Sequence, residues 1–163
     1  MTNLEPGTAT PAAAAVATHL DAIEGVEILH DRAIPGTRAG IDHIAVGASG
    51  VYVIAAHGHR GAVVRRDSRL FVDSEDRSDL LAAMKVRVDA VAAALGDLHL
   101  PVSRALCFVG GEWPASNPPF MLKGVWVGWA HPLGRLVSQP GRLQPLDIDA
   151  AVQLLDEHLP ATG

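Results

Sequence analysis

The sequence predicts an α/β domain in which helices flank a mixed β-sheet, and three observations carry that reading. Leu81, Met84, Val88, Val91 and Leu95 recur at intervals of three and four, which marks a helix over Asp79 to Leu95 that Gly96 ends. Ile41 to Ala48 and Val51 to His57 are β-rich runs separated by Ser49-Gly50, the strongest hairpin signal in the chain. Val102 to Val109 is an apolar run of strand length and reads as a buried strand.

The remaining elements follow in order. Met1 to Pro11 has no apolar periodicity and reads as a flexible tail, which leaves residues 12 to 160 as a single domain. Ala12 to Ile23 carries Val16, Leu20 and Ile23 at helical spacing, with Gly25 as a stop. Val26 to Leu29 reads as a strand and Asp31 to Gly40 as a loop with Pro and Gly. Ala62 to Arg66 and Leu70 to Val72 are further strands. Asp73 to Ser78 is a polar connection in which Ser78 is a candidate helix cap. Gly110 to Phe120 is a Pro-rich loop, Val125 to Trp129 a strand, and Ile148 to Leu159 a closing helix with Asp147 as its cap. The order is α-β-β-β-α-β, then one more strand and a helix.

Composition bounds the function. In 163 residues, 48% are hydrophobic and 19% charged, enough for an ordinary core and against global disorder. No apolar stretch approaches bilayer length, and Glu5 with no basic residue before the alanine run argues against a secretory signal; the expectation is a cytoplasmic protein without a membrane partner. Cys107 is the single cysteine, which excludes an intramolecular disulfide and a thiolate zinc cage, and its apolar neighbours make it a core residue. A net charge of -5 weighs against tight nucleic-acid binding unless a local patch supplies it. Gly58-His59-Arg60-Gly61 lacks the glycine spacing of a phosphate-binding loop.

The hairpin holds the candidate chemistry. With Ser49-Gly50 as a two-residue turn, Ala48 pairs with Val51, Ile44 lies opposite Ala55, and Asp42 lies opposite His57, about 5 Å apart at Cβ. His59 stands one step further along the same face, and His43 points to the opposite face as a structural residue. Three chemistries fit an acid and two imidazoles there. Asp42, His57 and His59 are suitable ligands for zinc or manganese. Asp42 could orient His57 as a general base. Or the pair satisfies itself by a plain hydrogen bond.

The run Ile28-Leu29-His30-Asp31-Arg32-Ala33-Ile34-Pro35-Gly36-Thr37-Arg38 leads into Ile41-Asp42-His43-Ile44-Ala45-Val46-Gly47. With Gly50-Val51-Tyr52-Val53-Ile54 and Arg60-Gly61, it resembles the nuclease-related domain (NERD) family. The resemblance continues through Met84 to Leu95, Ala105 to Val109 and Trp113-Pro114. That family is related to the PD-(D/E)xK nucleases, so the resemblance implies a restriction-endonuclease-like α-β-β-β-α-β core. It also implies a divalent metal held by a strand Asp and a following acid, with a Lys two residues later. Asp42 matches the first acid, but the second acid falls on Ala55 and the Lys on His57. A first-helix Glu falls near Ala13 and a later Gln near Arg87. Ala55 cannot bind a cation, and His57 is largely neutral at pH 7. The resemblance therefore implies a domain that has lost its nuclease chemistry, needs no cofactor and binds DNA or a protein partner. The alternative is a divergent nuclease using Zn²⁺, Mn²⁺ or Mg²⁺ on Asp42, His57 and His59.

Two further groups bear on ligand binding. Arg60, Arg65, Arg66 and Arg69 form the one basic cluster near the hairpin, a solvated face or a phosphate-contacting rim. Trp113, Trp126 and Trp129 suggest base stacking, but core packing with a partly exposed ring is the better expectation.

Overall fold

Six strands form the central sheet of the computed structural model, which describes residues 10–110 and 118–162. In chain order the strands are β1 (Glu27–Ala33), β2 (Gly40–Gly47), β3 (Gly50–Gly58), β4 (Val63–Arg66), β5 (Arg69–Val72), β6 (Glu75–Asp76), β7 (Val102–Val109), β8 (Phe120–Leu122) and β9 (Val125–Gly128). The helices are α1 (Pro11–Asp21), α2 (Asp79–Ala82), α3 (Met84–Leu95), α4 (Ala130–Val137) and α5 (Pro145–His158). The main sheet runs β1-β2-β3-β7-β9-β8, with β3, β7 and β9 parallel and the other pairs antiparallel. The expected mixed α/β architecture is present.

Strand alternation splits the core in two. Ile44, Val46, Val53, Ala55, Leu106 and Phe108 face one side, where α3, α5 and the small sheet cover them. Ala45, Tyr52, Ile54, Ala56, Ala105 and Cys107 face the other, under α1 and α4. Strands β3 and β7 are apolar on both faces because helices cover both, as parallel strands require. Cys107 is a core residue, as expected, and burial pushes its thiol up to about 12. Helix α1 begins where Thr10 Oγ1 accepts the Ala13 N–H at 3.0 Å and Pro11 occupies the first turn.

Several expectations are corrected. The hairpin turn is Ala48-Ser49, and Gly50 belongs to the ladder, paired with Gly47. This moves the register by two residues, so Val53 faces Ile44, and the ladder ends at His43–Ile54, one step short of Asp42, which places Ala55 rather than His57 nearest to it across the strands. The cause is nonlocal. Gly50 has φ +134°, a Cβ there would lie 2.9 Å from the Pro101 carbonyl oxygen, and that oxygen accepts the Val51 N–H. Gly50→Ala is therefore expected to cost about 2 kcal/mol. Urea denaturation would show a lower midpoint at unchanged slope, and an unmoved midpoint would contradict this account of the turn.

The segment from Asp31 is strand rather than loop as far as Ala33. The chain end supplies the missing partners: Ala33 N–H bonds to Pro160 O, Thr162 N–H to Asp31 O, and Arg32 reaches Asp156 and Leu159 O. The strands at Ala62 to Arg66 and Leu70 to Val72 form a separate sheet, β4-β5-β6. The expected long helix is broken at Ala83, whose carbonyl accepts a bond from the Arg87 guanidinium. Ser78 stands at the start of α2, but its hydroxyl accepts the Leu70 N–H instead of capping the helix. Helix α5 starts earlier than expected, with Pro145 in its first turn; Gln144 is the cap and Asp147 the reciprocal member of a capping box. Helix α4 and strand β8 had no counterpart in the sequence reading. Among the described residues, no helix is long and apolar enough to cross a membrane.

Candidate functional site

Asp42 sits where β2 and β3 diverge, on the face covered by α3. Its Oδ2 accepts the Ala56 backbone N–H at 2.8 Å. Burial holds the carboxyl above its ordinary value, opposed by that bond and by the Arg87 charge, while nearby Asp31 adds to the rise. Arg87 is fixed by two backbone carbonyls, Gly40 at 2.8 Å and Ala83 at 2.6 Å. Ala55, on the same face, is buried.

His57 follows Ala55 on this face and stands beside Phe108 of β7. The His57 and His59 rings lie 6.0 Å apart, and Phe108 lies 5.9 Å from one and 5.4 Å from the other. Burial lowers His57 to about 4, helped by His59, Arg77 and Arg87 and opposed by Asp79. His59 is lowered for the same leading reason, with Arg77 adding to it. An imidazole whose acid form dissociates near 4 is a weak base at neutral pH, far from the match that general-base catalysis favours. The structure thus gathers Asp42, His57 and His59 on one side of the sheet, with Arg77 and Asp79 bonded to each other beside them. Arg77, Asp79 and Asp31 were missed as neighbours of this site, since β6, α2 and β1 reach it only through the tertiary fold.

The donor set does not fit a divalent cation. One Asp42 oxygen is engaged by the backbone, Ala55 offers no ligand, and no group of three or more His, Cys, Asp or Glu among the described residues is placed to hold a metal ion. Ala13 is buried on the opposite face, among the α1 contacts, away from Asp42.

The arginine rim is dispersed. Arg60 is exposed in the loop after β3. Arg65 lies 5.2 Å from the Phe120 ring and donates to Met121 O at 3.0 Å, covering the β8 edge. Arg66 lies over Phe71 at 5.2 Å, and Arg69 pairs with Asp76. Trp126 is half-buried on β9 and Trp129 half-buried at the start of α4, while Trp113 lies outside the described residues.

On the other face, His43 is 2% exposed. Its Nδ1 meets His30 Nδ1 at 2.8 Å and His30 Nε2 meets Asp21 Oδ1 at 2.8 Å; among the described residues His43 Nε2 makes no full hydrogen bond, although the Ala13 backbone lies close enough to raise the His43 pKa. Burial and the neighbouring His30 lower His43 to about 4. The expectation that His43 is structural agrees with this placement.

No curated protein and no solved structure matched the chain. A profile described as the nuclease-related domain matches residues 9–109, which spans α1 through β7 and includes Asp42, Ala55 and His57. That match covers more than half of the chain and the same strands that carry the candidate site, and the protein belongs to the nuclease-related domain family.

Proposed function

We propose that this is a nuclease-related domain that has given up phosphodiester cleavage and serves as a cytoplasmic nucleic-acid-binding module. One observation carries the loss of cleavage: buried Ala55 stands where the family pattern has a second acid, so Asp42, bonded through one oxygen to the Ala56 backbone, is the one strand carboxylate of that pattern left. Such a group leaves Mg²⁺ held mainly by water and gives no fixed charge for an attacked phosphate. His57, held near 4, does not replace the lysine charge at neutral pH. Family membership supports nucleic acid as the ligand.

The test has two arms. Labelled DNA incubated with Mg²⁺, Mn²⁺ or Zn²⁺ is expected to stay intact, and metal titrations of wild type and His57→Ala are expected to show no saturable site. Metal-dependent cleavage that His57→Ala abolishes would instead establish a nuclease built on Asp42, His57 and His59. In the second arm, DNA affinity is expected to fall steeply as salt rises, as phosphate contacts require. Absent or salt-independent binding would point to a protein partner.

A further inference from the structure

Three rings meet at the candidate site. His57 and Phe108 are register partners on β3 and β7, so their side chains stand next to each other on the face that α3 covers. The chain then leaves β3, and the His59 N–H bonds to the Val109 carbonyl at 3.2 Å, which pins the loop to β7 beside Phe108. The ring centroids form a triangle with sides of 6.0, 5.9 and 5.4 Å, and the ring planes are inclined by 37°, 36° and 50°. These separations belong to packed aromatics, but no ring covers another face to face. Phe108 is buried, whereas His57 and His59 are half-buried, so part of each imidazole reaches solvent.

The surrounding charges are held in place by the fold. Arg77 is bonded to Asp79, and Arg87 to the Gly40 and Ala83 carbonyls. Both cations act on His57 against Asp79, and Arg77 acts on His59 against Glu75 and Asp79. The Asp42 carboxylate is bonded to the Ala56 N–H and opposed by Arg87. Arg60, next to His59 in the chain, is exposed. Both imidazoles titrate below 6.5, so at neutral pH they present uncharged π-faces. The position that the family pattern gives to lysine thus offers ring area in place of charge.

We propose that His57 and His59, floored by Phe108, form a stacking platform for an unpaired base of single-stranded nucleic acid, with Arg60 on the adjoining phosphate. Sequence-tolerant binding of single strands combines flat ring surface for the bases with cations for the backbone, and imidazole is one of the rings that serve. A base inside a duplex is already stacked on its neighbours and presents no free face, so the platform selects single strands. The inference rests on the nucleic-acid reading and names the kind of strand that the former cleavage site receives.

Fluorescence anisotropy with labelled oligothymidylate, oligouridylate and a DNA duplex tests it, using wild type, His59→Ala, His59→Phe and Arg60→Gln. His59 is a half-buried loop residue, so its substitutions should leave the melting temperature nearly unchanged. His59→Ala should weaken single-strand binding about tenfold, the worth of one stacked base, and His59→Phe should restore it. Arg60→Gln should lower the salt dependence by about one phosphate contact. That pattern with either oligonucleotide supports the platform, and the tighter of the two identifies the strand as DNA or RNA. Single-strand binding that His59→Ala leaves unchanged, or that His59→Phe fails to restore, overturns the platform and leaves the nucleic-acid module standing. Binding of the duplex alone does the same. No binding of any of the three overturns both.

Discussion

Phe108→Ala is expected to lower the stability of the domain by about 3–5 kcal/mol, the range for removing a buried aromatic side chain. Phe108 is 1% exposed, sits on β7 opposite His57, and belongs to the core that α3 and α5 cover. The loss combines the transfer free energy of the ring with the cavity it leaves among Ala55, Leu106 and their neighbours. Phe108→Leu, which keeps most of the volume, should cost less than about 1.5 kcal/mol. Chemical denaturation measures both. The alanine variant should also let water reach His57 and raise its pKa back toward the ordinary 6.5, which histidine NMR titration reads. A loss below about 1 kcal/mol, with His57 unmoved, would mean that Phe108 does not floor the site.

Acid should weaken the fold through His43. Its folded-state pKa is lowered from 6.5 to about 4, so between those values the unfolded chain binds more protons than the folded one. Stability therefore rises with pH across that window. The contribution is fully present above pH 6.5 and is lost as pH falls toward 4, about 3 kcal/mol in all. Denaturant melts at several pH values should show this slope, to which His57, also lowered to about 4, contributes alike, and His43→Leu should remove about half of it. Asp42, whose pKa is raised, acts in the opposite sense, because a carboxyl of that kind gains stability as it protonates. A slope unchanged in His43→Leu would assign the acid sensitivity to other groups.

Much of the frame was legible because its signals are local. The apolar spacing of α3 and the β-branched run of β3 report burial directly, and the family pattern around Asp42 marks β2 as the strand that carries the acid. What escaped detection depends on distant partners. Ser49-Gly50 looks like a turn by composition, but the Pro101 carbonyl draws Gly50 into the ladder. Helix α4 is short, contains Pro132 and Gly134, and begins at Trp129 without a capping side-chain bond, so it lacks the usual start signal. The β1 extension needs the chain end beside it. At the site, the acid and both histidines were found on one side as expected, but the pairing of Asp42 with His57 was wrong. Arg77 entered unseen, because a residue in the connection after a small sheet has no sequence periodicity that points at His57.

The bond between His30 and His43 has a consequence in proton bookkeeping. Two imidazoles joined through the same ring nitrogen can share only one hydrogen there, so one ring gives and the other receives. While His30 is neutral and donates through Nε2 to Asp21, its Nδ1 is bare. His43 then holds its hydrogen on Nδ1; when His30 carries hydrogens on both nitrogens beside Asp21, His43 holds its own on Nε2, toward the Ala13 backbone. The proton count of a histidine at the surface end of α1 thus decides which nitrogen of an interior ring carries the hydrogen.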